Sequence, residues 1–210
     1  MPTETFFKLS EEKKQRIIES AKKEYARVSP DEVSIKNIVE DAGIARGSFY
    51  QYFESKYDLL NFILKKDFEN IEKFAIENLE KNDGDIFQVH IDLFEYMIKE
   101  IFSGGDMKFH EKRLKNLKPS DDMFLCFPDI KNGETCKEEI KPIFERKEVI
   151  EKINFSKLKV ENDDEIKILL NMLVFITKKS TISCFKYNSF EKGKEEHKKM
   201  IEFLKFGVLK

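Results

Sequence analysis

The chain has 210 residues, 40% hydrophobic and 37% charged, with a formal net charge of −2. That is enough apolar material for one or two packed domains, and the near-neutral balance argues against binding nucleic acid by bulk positive charge. No apolar run approaches the ~18 residues of a membrane span, and the opening MPTETFFKLSEEKK lacks the basic-then-apolar order of a secretory signal, so a cytoplasmic protein without membrane contact is expected.

Residues 1–9 read as a loose arm with Phe6 and Phe7 available to anchor it. Ser10 is a plausible N-cap, and Glu11 and Glu12 suit the positive end of a helix dipole. That helix runs to about Arg27 with Ile17, Ile18, Ala21 and Tyr25 on its apolar side, and Pro30 closes it.

The stretch from Ser34 to Leu60 organises the rest. Ile35, Ile38, Val39 and Ala42 repeat as an amphipathic helix. Ser34 stands where an N-cap belongs. Gly43 follows where a chain leaving a helix often turns left-handed, and Ile44 can plug the corner. In the next segment, Ala45 to Phe53, Phe49 and Phe53 share one face, while Arg46, Ser48, Gln51 and Tyr52 take the other. Ser55 and Asp58 form an S-x-x-D capping signal for a third helix. By pattern alone this is either a helix-turn-helix or an ordinary corner between two helices with no DNA role.

The run A-G-I-A-R-G-S-F-Y-Q-Y-F-x-S-K-x-D-L-L, from Ala42 to Leu60, resembles the signature of the TetR family of transcriptional repressors. The matching residues are Ala42, Gly43, Ile44, Gly47, Ser48, Phe49, Tyr50, Tyr52, Phe53, Ser55, Lys56, Leu59 and Leu60. The motif covers about residues 10 to 60. The resemblance implies an all-α protein with an N-terminal three-helix helix-turn-helix DNA-binding domain, residues 1–57, followed by an all-helical ligand-binding and dimerisation domain, residues 58–210. It further implies phosphate-positioning roles for Ser34, Ser48, Tyr50, Tyr52 and Lys56, with Gly47 allowing close backbone approach. Arg46 can donate a bidentate pair to guanine, Gln51 is a second candidate for base contact, and Lys36 adds positive charge nearby. Glu40, Asp41 and Glu54 lie close enough to repel stray phosphate, so specific docking is expected to outweigh bulk attraction. Ala45 holds the position where many relatives carry a serine or threonine cap, which predicts a recognition helix that frays at its start until DNA binds.

The third helix keeps helical period from Lys56 to about Glu80, long enough to serve as a mechanical connection between domains. Asn82-Asp83-Gly84-Asp85 marks a turn, and Ile86 to Phe102 traces another amphipathic helix. Residues 107–120 suggest a short basic helix whose charge is a solvated face. Pro119 and Pro128 bracket an aromatic patch, Met123 to Phe127; residues 135–154 read as one helix entered or interrupted at Pro142. Asp163 and Asp164 open the most apolar helix, which ends near Tyr187, and Asn188 or Ser189 caps a last helix containing Phe190, Met200, Ile201, Phe203, Leu204 and Phe206. A helix apolar on nearly every side must be covered on every side, so these two C-terminal helices are expected to form a homodimer interface, in line with the family plan.

The functional expectation is a homodimeric repressor, released from a palindromic double-stranded operator by a small apolar or aromatic effector. Phe68, Phe94, Ile98, Met172 and Phe175 are candidate wall residues for that effector, although core packing explains each as well. No cofactor is expected. Cys126, Cys136 and Cys184 are odd in number and not spaced C-x-x-C, so reduced thiols are expected, and His110 with Cys126 and Cys136 matches no zinc pattern. The chain carries no nucleotide-binding, hydrolase-elbow or zinc-protease motif, so no enzyme is expected. The rival readings are a helical protein-interaction module without operator binding and a cysteine-dependent enzyme built on Cys126 and His110.

Overall fold

The computed structural model describes residues 2–103, 107–115 and 143–208, and these form helices and turns with no strand among them. The chain divides into two compact units: the segment up to Phe68 together with the helix Met107–Lys115 (α7), and the segment from Glu69 together with the C-terminal helices. The aromatic patch Met123–Phe127, with Cys126, and Cys136 lie outside the described residues.

In the first unit the arm is not loose. Glu4–Phe7 forms one helical turn (α1) and Phe6 is fully buried, its ring 4.8 Å from that of Phe53 and 5.2 Å from that of Phe62. Two apolar rings close to the start of the chain outweigh the disorder expected of a terminus. Glu11–Arg27 (α2) begins as expected, with the Ser10 hydroxyl accepting from the Lys13 amide at 3.3 Å. Ile35–Asp41 (α3) departs from expectation at its N-cap. The Ser34 side chain makes no cap; its amide instead donates to the buried carboxylate of Glu24 at 3.1 Å. Glu24 also accepts from the Asn37 side chain at 3.0 Å and from Arg27 at 2.7 and 2.9 Å, so α2 holds the start of α3 in place without a side-chain cap. The Arg27 hydrogen bond holds the Glu24 carboxyl below its usual range, against the opposing effect of burial.

Gly43, at φ +65°, then turns the chain. Its amide donates to the Glu40 carbonyl at 3.3 Å and that of Ile44 to the Val39 carbonyl at 3.0 Å, the paired bonds of a Schellman motif. Arg46–Tyr52 (α4) follows without a side-chain cap at Ala45. Lys56–Lys81 (α5) starts beneath Ser55, whose hydroxyl accepts from the Asp58 amide at 3.2 Å; the Asp58 carboxylate reaches back to the Glu54 amide at 3.2 Å. α5 continues unbroken through the position where the sequence reading divides two domains. α7 packs on α2 through Phe109, which is buried in the same core as Phe49 and Phe53.

The second unit holds the end of α5, Ile86–Ser103 (α6), the one-turn helix Lys147–Ile150 (α8), Asp163–Tyr187 (α9) and Phe190–Val208 (α10). The single helix expected over 135–154 is not formed in its described part. Residues 143–157 break into two 3-10 turns around α8, with Ile143, Phe144, Val149 and Ile153 still buried. The break has a partner: the Asn154 amide donates to the Gly84 carbonyl at 3.0 Å, and a Cβ at Gly84 would lie 2.4 Å from that nitrogen.

By length and apolarity α9 is the one described helix that could cross a bilayer, with half of that span buried. It is instead two-faced. Leu169, Leu173, Thr177, Ser180 and Cys184 pack inward, chiefly on α10, while Ile168, Met172, Phe175 and Ile182 are 46–66% exposed. Gly193 permits the close approach, because a Cβ there would lie 1.9 Å from the Cys184 sulfur. Burial pushes the Cys184 thiol up to about 12, leaving it a small apolar group rather than a nucleophile.

Two histidines sit in this core. His90 (α6) is 3% exposed and stacks on Phe144 at 4.3 Å; His197 (α10) is 1% exposed and stacks on Phe94 at 4.1 Å. Burial lowers both imidazoles to about 3, so both are neutral at physiological pH.

Two predictions follow from this packing. Gly193→Ala lowers stability by about 1–3 kcal/mol through overpacking, read as a drop in Tm of roughly 2–4 °C per kcal/mol, and adding Cys184→Ala recovers part of that loss. The unfolded chain protonates its histidines near pH 6.5, whereas the folded one resists until about 3. Their contribution is therefore complete above pH 6.5 and declines as pH falls from there towards 3, by up to about 1.4 kcal/mol per pH unit for each histidine. Thermal melts at pH 7 and 4.5 show this acid loss, and His90→Phe with His197→Phe flattens it.

Candidate nucleic-acid interface

α4 has seven residues, too few for an isolated helix to persist in water. Phe49 and Phe53, both fully buried, bind one side of it to the core. The N-terminal arm secures its far end: the Thr3 amide donates to the Tyr52 carbonyl at 2.9 Å, and the Thr3 hydroxyl to the Gln51 carbonyl at 2.6 Å. These are carbonyls that the last turn of a helix cannot satisfy by itself. Nothing in the sequence pattern flagged Thr3; its role depends on Phe6 folding back.

The opposite side is open. Arg46, Gly47 and Gln51 are exposed, Ser48 is partly so, and Tyr50 is 50% exposed with its ring edge-on to Phe49. Arg46 makes no ion pair among the described residues. A Cβ at Gly47 would meet nothing within 4 Å, so packing within the chain does not require glycine there. Lys36, on the exposed side of α3, pairs among the described residues with Glu40 alone, at 3.8 Å. Arg46, Tyr50 and Gln51, at i, i+4 and i+5, thus present a guanidinium, a phenol and an amide from one short helix.

Three expected phosphate contacts are placed differently. Tyr52 is buried, its ring 6.2 Å from that of Phe6 with the Lys13 ammonium over it at 5.8 Å, so it belongs to the core and not to the polar face. The Lys56 ammonium turns inward, donating to the carbonyl of Asp31 and, at 3.2 Å, to that of Val33. With the Tyr57 hydroxyl on Asp31 at 2.6 Å and that of Tyr25 on the Lys56 carbonyl at 2.5 Å, it fastens the start of α5 to the loop before α3. Ser34 contributes its amide to Glu24, as above, and its hydroxyl is only partly exposed.

The candidate effector walls also separate. Phe68 is buried in the first unit, at its end. Phe94 and Ile98 are buried in the second, where they form part of one cluster with Ile101 and Cys184. Met172 and Phe175 are not walls: they are 46% and 66% exposed, on the side of α9 away from α10's packing. Along α9, Ile168, Met172, Phe175 and Ile182 fall at i, i+4, i+7 and i+14, a single stripe. On α10, Phe203 is 79% and Phe206 83% exposed. The antiparallel pairing of Thr177 with His197 and of Cys184 with Gly193 brings that end of α10 alongside Ile168 and Met172.

Comparison with known proteins agrees with this geometry. Residues 17–63 match the bacterial regulatory proteins of the tetR family, and residues 85–208 match a tetracyclin repressor-like C-terminal domain. Among solved structures, a TetR family transcriptional regulator from Chloroflexus aurantiacus J-10-FL is similar over 100% of this chain and 99% of its own, with 20% identity and a TM-score of 0.53. The transcriptional regulator FadR from Bacillus subtilis, in complex with stearoyl-CoA, has 15% identity and a TM-score of 0.56 over 90% of this chain and 96% of its own. The fatty acid degradation regulator FadR from Bacillus halodurans has 13% identity and the same TM-score over 92% of this chain and 96% of its own. No curated protein sequence matches. With a helix-turn-helix whose open face is polar and two family patterns that together span most of its length, the chain belongs to the tetR family of DNA-binding transcription regulators.

Proposed function

We propose that this regulator is a ligand-responsive repressor that binds a palindromic operator as a homodimer and is released by a small apolar or aromatic effector. The observation that carries the DNA half is the division of α4 between a buried Phe49–Phe53 back and an open Arg46–Tyr50–Gln51 front. Arg46 reads a guanine edge in the major groove, Gln51 is a second base reader, and Ser48, Tyr50 and Lys36 hold phosphates. Gly47 admits the sugar-phosphate backbone where a side chain would intervene. Two such helices need a separation of about 34–36 Å to meet successive major grooves.

The dimer half rests on the apolar stripe of α9 and the exposed Phe203 and Phe206 of α10. A contiguous apolar surface of this kind marks an interaction site, and a second copy covers it in our reading. Lys179, paired with Glu196 at 3.1 Å, interrupts the stripe and suits a protein surface better than a lipid one, which favours a cytoplasmic protein without membrane contact. An effector in the second unit acts by binding the released state more tightly than the DNA-bound state, and α5 is the covalent route by which that preference reaches α4. The stearoyl-CoA held by the B. subtilis FadR makes acyl compounds one class to screen alongside aromatic ones. Catalysis is not part of this reading: Cys184 is a buried, unactivated thiol and His110 is buried.

Selection of the full chain against random duplex DNA should enrich an inverted repeat; a helical interaction module would enrich none. On the selected site, Arg46→Ala costs about 1–3 kcal/mol and relaxes preference at one base pair in each half. Lys36→Ala weakens all sites alike and lowers the salt slope by about 1. In light scattering, Phe175→Glu with Phe203→Glu converts a dimer into a monomer near 24.9 kDa and reduces operator affinity together with dimerisation. A wild-type chain that is monomeric with and without DNA would refute the dimer.

A further inference from the structure

Buried polar atoms in folded proteins are almost always paired, and an exception calls for a partner from outside the chain. His90 Nε2 is such an exception: it is buried and has no hydrogen-bond partner among the described residues. Burial is the main influence on His90, and among the described residues His197 is the one ionisable group that adds to it. Burial alone accounts for the behaviour of His197.

The neighbouring hydroxyl fixes one tautomer. Thr177 Oγ1 donates its proton to the Leu173 carbonyl at 3.0 Å, so toward His197 Nε2, at 3.4 Å, it can only accept. His197 therefore carries its proton on Nε2 and leaves a lone pair on Nδ1. The Phe144 ring stacks on His90 and the Phe94 ring on His197, both no more than 3% exposed. The result is a spot with one unpaired nitrogen, His90 Nε2, aromatic surroundings and, among the described residues, no counter-charge. It can pair a hydroxyl or carbonyl, but nothing there neutralises a carboxylate, phosphate or ammonium.

We infer that the His90 Nε2 edge is the polar anchor of the effector site and takes an uncharged oxygen group, alcohol, phenol or carbonyl, on an otherwise apolar molecule. This rests on the reading of the second unit as effector-binding and narrows the effector to one chemical class. It also gives His90 a role that core packing does not, since a phenylalanine or leucine would fill the same volume without an orphaned nitrogen.

The test is calorimetric titration of the full chain with 4-propylphenol and with 4-propylbenzoate, matched in size, at neutral pH. The phenol is expected to bind saturably at one per chain, at least about tenfold more tightly than the benzoate. His90→Leu lowers phenol affinity about tenfold, while His90→Gln, which keeps a hydrogen-bonding group, retains most of it. Melting curves of both variants establish that they fold. Equal binding of the two compounds, no binding of either, or unchanged affinity in a folded His90→Leu overturns the inference, and a buried water then explains the orphaned nitrogen. Operator release by some other compound under those outcomes leaves the regulator reading intact and removes only the role given to His90.

Discussion

A seven-residue helix has no stability of its own, and α4, the helix we propose reads DNA, is one. Everything that helix can do depends on the burial of Phe49 and Phe53 against Phe6, Leu59 and Leu60. Those contacts hold α4 in place without any side chain on its outer face taking part. Arg46, Gln51 and Tyr50 are consequently free to meet a partner, and Gly47 leaves room for one. Glu24 does the equivalent for α3 by polar means, tying its start to α2 through the Ser34 amide and the Asn37 side chain. The two short helices of the motif are thus built largely by their neighbours.

The second unit is organised by a different constraint, the two-sidedness of α9. Its inner face carries small hydroxyls at Thr177, Ser180 and Thr181 that bond back to carbonyls one turn earlier, at 2.8–3.0 Å. These groups are satisfied within the helix, so α10 can approach closely at Gly193 without leaving polar atoms unpaired. The outer face is apolar and open. A helix that pairs closely on one side and exposes isoleucine, methionine and phenylalanine on the other is suited to a second subunit. The same packing keeps His90 and His197 neutral, because burial disfavours the charged imidazole.

The acidic net balance of the chain fits this arrangement. Many of the cations on the first unit are engaged in ion pairs, as with Lys14, Arg16, Lys23 and Arg27. Lys56 is directed inward on two carbonyls. On the face we propose for DNA, Arg46 makes no ion pair among the described residues and Lys36 is only loosely paired, a small local charge that favours recognition of particular sites over attraction to any duplex.

Much of the plan was legible in the chain itself. Helical periodicity, the glycine at 43 and the caps at Ser10 and Ser189 located the helices, because these depend on residues a few positions apart. The motif from Ala42 to Leu60 identified the family for the same reason. Periodicity also placed Arg46, Ser48 and Gln51 on the outer face, while Tyr50 was singled out only by the family resemblance. What it could not assign were the outcomes set by residues distant in sequence. Tyr52 is buried because the arm returns over it; Lys56 is turned inward by carbonyls more than twenty positions earlier. Met172 and Phe175 face out because α10 occupies the other side of α9. Local pattern determined which segments became helices and which residues shared a face; only tertiary packing decided which face was covered, because burial depends on what else the chain brings to that place.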